Sequence, residues 1–146
     1  MIKAEDLRIG DIVRINENDS IKNGLIGKVT DIDSLREYKE KKGAITLNTI
    51  EDDGWYWGIW CCDIEPIPLT PELLEKNGWK KRTEGWYFMM ISKYMYLSVE
   101  FGYENGIRVF LKRTTNGLYV KLNVANNVHE LQHILWALGL DANLKI

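Results

Sequence analysis

Five residues near the end of the chain, His129-Glu130-Leu131-Gln132-His133, carry the spacing of a catalytic metal site. Histidines at i and i+4 lie about 40° apart on a helix. Both can ligate zinc there, while the glutamate between them activates a metal-bound water. Read as a site, the pattern predicts His129 and His133 as ligands and Glu130 as the base of a metallopeptidase. It also needs a third protein ligand, and the chain has no other histidine. The position six residues after His133 is Gly139, Glu130 is the last glutamate, and Asp141 is the only later acid. The same letters have a simpler reading. With Asn127 as N-cap, Glu130 stands at the third helical position, where a carboxylate closes a capping box. The expectation is therefore a capped helix start with no metal and no cofactor, and the zinc peptidase is the competing reading.

Two other groups of residues have the chemistry of a binding surface. Asp52 and Asp53 precede Trp55 and Trp57, and the two-residue period of a strand puts both tryptophans on one face, with Tyr56 and Trp60 on the other. An aromatic ledge beside acids suits a proline-rich or basic peptide. Further on, Tyr96, Arg108, Phe110, Lys112, Tyr119 and Lys121 alternate with apolar residues along three successive strands. They form a basic and aromatic face suited to single-stranded nucleic acid, by phosphate attraction and base stacking. Packing of either face inside the protein is the competing account.

The elements that position these groups follow from local pattern. Ile12–Ile15, Leu25–Ile32, Ala44–Asn48 and Trp55–Cys61 read as strands parted by glycine turns, with Gly27 marking a bulge or bend. Ser34-Leu35-Arg36-Glu37 has capping-box spacing, and a short charged helix is expected up to Gly43. These elements predict a small SH3-like barrel over residues 1–65. A proline-punctuated joint leads to Thr70 as N-cap and Pro71 at the first position of a two-turn helix. Four strands follow, Trp86–Ile91, Met95–Phe101, Ile107–Arg113 and Leu118–Leu122, with Asn105-Gly106 and Asn116-Gly117 as turns. A final helix that begins after Asn126 or Asn127 and ends at Gly139 has its apolar stripe at Val128, Leu131, Ile134, Leu135 and Leu138. The fold class is thus mainly β with an α+β second part, an α-β-β-β-β-α antiparallel meander over residues 66–146. Six tryptophans in so short a chain favour docking of the two parts through the aromatic strand.

At 146 residues, 45% hydrophobic and 27% charged, the chain has the composition of a soluble globular protein, and no apolar run is long enough to span a bilayer. The N-terminus has no apolar signal segment, so a cytoplasmic location and no membrane partner are expected. Cys61 and Cys62 are adjacent and imply neither a disulfide framework nor a metal knuckle. Residues 1–65 carry 9 basic and 14 acidic side chains, a net of −5, and residues 66–146 carry 10 and 7, a net of +3. Any polyanion would therefore meet the second part.

Two resemblances add to this reading. Gly10-Asp11-Ile12-Val13-Arg14-Ile15 and Gly24-Leu25-Ile26-Gly27-Lys28-Val29 resemble the KOW-type barrels of some ribosomal and transcription proteins, a family that binds RNA through a basic loop. From Ile67-Pro68-Leu69-Thr70-Pro71 to Val128-His129-Glu130-Leu131-Gln132, the chain is similar to a group of uncharacterised small bacterial proteins, often from prophage or mobile-element regions. That group shares the Pro-Leu-Thr helix start and the Val-His-x-Leu-Gln helix, and often has asparagine where this chain has His133. It implies phage association and no established activity. The function expected is a non-enzymatic binding or adaptor module for a peptide or single-stranded nucleic acid.

Overall fold

A computed structural model describes residues 2–17, 20–51 and 54–146. The protein is mainly β, and 47% of the described residues are in strands and 16% in helices. It divides into two compact units, Met1–Ile67 and Pro68–Ile146, each built on one five-stranded antiparallel sheet.

In the first unit the strands are β1 (Ile12–Ile15), β2 (Ile26–Tyr38), β3 (Lys41–Thr49), β4 (Trp55–Trp60) and β5 (Ile64–Pro66). Their order is β4-β3-β2-β1-β5, and a 3-10 turn at Cys61–Asp63 carries the chain back beside β1. The sheet is a meander whose last strand returns to its first. The strands bury Val13, Ile15, Val29, Ile45, Leu47, Ile59 and Ile64 in one core. Each such side chain contributes about 1.5–3 kcal/mol over an exposed one. Cys61 belongs to this core as a free thiol whose pKa is pushed up by burial.

Three local expectations are corrected. Ser34–Gly43 is not helical: β2 and β3 run on past the core as a charged hairpin, pairing Glu37 with Lys42 and Tyr38 with Lys41. A carboxylate of Asp33, not Ser34, accepts the Arg36 N–H at 3.1 Å, and Lys39 turns the chain at a φ of 55°. The bulge expected at Gly27 lies between Val29 and Asp31 instead. Gly27 serves close packing, since a Cβ there would stand 3.1 Å from the Leu47 side chain. Finally, β4 changes phase at Gly58, whose φ is 68°. Leu47 pairs with Tyr56 and Ile45 with Ile59, so Ile59, not Trp60, joins Tyr56 on the core side.

The second unit runs α1 (Pro71–Lys76), β6 (Lys80–Thr83), β7 (Trp86–Ser92), β8 (Met95–Glu100), β9 (Arg108–Arg113), β10 (Tyr119–Val124) and α2 (Val128–Ala137). The sheet order is β10-β9-β8-β7-β6, one strand more than the four expected. The added strand, Lys-Lys-Arg-Thr, is exposed throughout and gives no alternation to read. Thr70 caps α1 by accepting the Leu73 N–H at 3.3 Å. One sheet face buries Tyr87, Leu97, Val99 and Val109. Met89 of that face lines a crevice with Trp79, Leu135 and Leu144, which makes it the face the helices cover. Val128, Leu131, Ile134 and Leu135 of α2 are buried, as the stripe predicts.

After α2 the chain turns back to α1. The buried Gln132 side chain donates to the Ala142 carbonyl at 3.0 Å. The Asn77 side-chain amide donates to the Lys145 carbonyl at 2.9 Å and accepts the Lys145 N–H at 2.8 Å. Ala142 and Leu144 are buried between these anchors.

Candidate functional site

The histidine motif sits on the first turns of α2. The Glu130 carboxylate accepts the backbone N–H groups of Asn126, at 2.7 Å, and Asn127, at 3.1 Å, closing the capping box. His129 is only 5% exposed. Its ring meets that of His133 edge-on at 5.9 Å, and His133 stacks on Trp136 at 5.7 Å. Among the described residues no three His, Cys, Asp or Glu side chains are grouped to hold a metal ion. Replacing Glu130 by alanine is expected to cost about 1 kcal/mol, read as a lower thermal midpoint, and glutamine should retain most of the cap.

Strand register places the predicted basic-aromatic residues together on one face of the second sheet. Tyr96, Lys112 and Tyr119 stand in one row, and Ser98, Phe110 and Lys121 in the next. Trp86, Glu100 and Arg108 form a third. Directly opposed residues share a side, so the rows make a continuous surface. Much of that surface is committed internally. The Lys112 ammonium pairs with Glu100, both side chains being less than 15% exposed. It also lies 4.2 Å from the Trp86 ring centre and 5.0 Å from that of Phe110. Trp86 donates to Ser98, which donates to Glu100 at 3.0 Å, and the Tyr103 hydroxyl donates to the other carboxylate oxygen at 3.0 Å. Burial raises the Glu100 pKa, but the hydrogen bonds from Lys112, Tyr103 and Ser98 outweigh it and hold the carboxyl below its usual value. Arg108 lies over the Tyr103 ring at 3.8 Å. Phe110 is 8% exposed and Tyr96 half-buried, so Tyr119 and Lys121 alone of the six are open. The alternation of Tyr96, Ser98 and Glu100 was visible in the sequence. The role of Glu100 as the acid that takes up Lys112 was not, because it depends on which strands are neighbours.

The aromatic ledge is arranged differently. Trp55 is 53% exposed and Trp57 is 72% exposed, on the outer side of the edge strand β4. Towards the other end of the strand Arg36 from the charged hairpin covers Trp60, 5.3 Å from its ring centre, and its guanidinium would stand 3.1 Å from a Cβ at Gly58. The hairpin thus braces the end of the strand opposite Trp55. Glu51 is exposed beside the open tryptophans, and Asp52 and Asp53 lie outside the described residues.

No family model, no curated protein and no solved structure matches the chain. Among the described residues no helix is long and apolar enough to cross a membrane.

Proposed function

We propose that the chain is a non-enzymatic binding module whose N-terminal unit docks an extended peptide on Trp55 and Trp57. The observation that carries this reading is their exposure, 53% and 72%, on one side of a single strand. Large aromatics left open in this way are the usual anchors of an interface, because they bury much area at little cost in side-chain entropy. The net charge of −5 over residues 1–65 favours a peptide with basic or proline-rich character. The nucleic-acid reading of the second sheet has weaker support, since Glu100 takes up Lys112 and Phe110 is closed. The peptidase reading has weaker support too, since Glu130 is engaged by backbone amides.

A labelled nonapeptide of three Pro-Pro-Lys repeats tests the proposal by fluorescence anisotropy. Binding is expected to weaken about tenfold in Trp57→Ala, about 1.4 kcal/mol. The unfolding free energy should change by less than about 0.5 kcal/mol, as for an exposed site. Unchanged affinity in the Trp55→Ala, Trp57→Ala double variant would sink it.

A further inference from the structure

The two edges of the second sheet are treated in opposite ways. β6 closes one edge with Lys80, Lys81 and Arg82, all exposed, the usual charged protection of a strand that must not pair further. The other edge is β10, which among the described residues pairs only with β9. It enters through Leu118, Tyr119 and Val120, which are 60%, 64% and 62% exposed. Three consecutive open apolar residues on a free edge invite an added strand.

The orientation of that edge follows from one hydrogen bond. The Arg113 N–H donates to the Leu118 carbonyl at 2.9 Å, so this is a pair bonded across the hairpin. In an antiparallel ladder the bonded pairs alternate. The backbone groups of Leu118 and Val120 therefore face β9, and those of Tyr119 and Lys121 face outward. The register shift between Lys121 and Asn123 ends the regular stretch. Leu118 and Val120 share one side of the sheet, and Tyr119 and Lys121 share the other.

Charge selects the occupant. From Asn105 through His129 the chain contains no acid, while Arg108, Lys112, Arg113 and Lys121 are all within it. Arg113 and Lys121 are exposed beside the open apolar residues. A second copy of the same edge would set like charges together. We infer that the free edge of β10 receives an extended segment of a partner protein in which apolar and acidic residues alternate. The apolar residues cover Leu118 and Val120, and the acids stand opposite Tyr119 and Lys121, where their own N–H groups bond to β10. This surface is separate from the tryptophan ledge and does not depend on it.

The probe is a fluorescein-labelled octapeptide of alternating valine and glutamate, titrated with the full chain. Saturable binding below about 1 mM is expected, at least about tenfold weaker in Val120→Asp and in Lys121→Glu. The wild-type chain supplies a readout that no misfolded variant can imitate. N-methylation of the probe's glutamates should abolish binding, and N-methylation of its valines should change it less than about threefold, because only the former point at β10. A valine–lysine octapeptide should not bind. Several results would overturn the inference: no saturation by the valine–glutamate probe, equal affinity after methylation of the glutamates, tighter binding of oligothymidine that Lys121→Glu removes, or self-association that Val120→Asp removes.

Discussion

Glu100→Ala is expected to lower the stability of the C-terminal unit by about 3–5 kcal/mol, the range seen when one partner of a buried ion pair is removed. The reason lies in what remains. Lys112, 14% exposed at its side chain, is left against the Trp86 and Phe110 rings with no carboxylate to balance it. Ser98, fully buried, and Tyr103 lose their acceptor at the same time. Removing both charges, as Glu100→Ala with Lys112→Met, should recover most of the loss, since a buried pair exchanged for apolar groups is often close to neutral. The pH dependence has a definite sign. A carboxyl held below its unfolded value stabilises the fold above about pH 4.3, and that contribution disappears as pH falls through the folded value. Glu100→Gln should therefore flatten the acid limb of the stability curve below about pH 5 and leave its shape at neutral pH alone. Hydrogen exchange of the buried amides of β8 and β9 reads all of these variants within the unit concerned. A Glu100→Ala protein as protected as the wild type would refute the account of the cage.

The second large effect belongs to a glycine. Gly106 has a φ of 98°, and a Cβ there would stand 2.3 Å from the Asn126 side-chain oxygen and 2.8 Å from Val124. That same oxygen accepts the Ile107 N–H at 3.0 Å. Gly106→Ala therefore combines a left-handed backbone, about 1–2 kcal/mol, with a displaced hydrogen bond of about 1 kcal/mol. About 2–3 kcal/mol is expected in all. Because the next amides, of Asn126 and Asn127, feed the Glu130 cap, the variant should also speed exchange at the start of α2. Gly117 supplies the control. Its φ is 67° but nothing lies within 4 Å, so Gly117→Ala should pay the backbone cost alone.

Legibility from sequence tracks whether a segment has one buried side. β8, β9 and α2 do, and their alternation and stripe could be read directly. The cap at Glu130 was equally legible, because it depends on residues three positions apart. The outer half of the β2–β3 hairpin and all of β6 have no buried side, so period-2 alternation is absent, and in the hairpin charge spacing imitates a helix instead. At Gly58 the alternation was present but its phase was hidden, since one residue with a left-handed backbone moved Ile59 inward in place of Trp60. The candidate sites divide in the same way. Which residues share the sheet face was readable. Which of them the fold spends on one another, as Lys112 is spent on Glu100, depends on pairing across strands and was not.

The grip of Asn77 on Lys145 also bears on the order in which the molecule is made. The two residues are 68 positions apart, and they tie the first helix of the unit to its last segment. Each hairpin of the sheet joins neighbours in the chain and can form as it leaves the ribosome, because such local contacts need little loop closure. The Asn77 contact cannot. Helix α1 emerges early, and its C-terminal amide has to wait through the synthesis of five strands and α2 before its partner exists. Until then, the Gln132 side chain also lacks the Ala142 carbonyl. The N-terminal sheet can therefore be complete while the second unit is still a meander open at both ends.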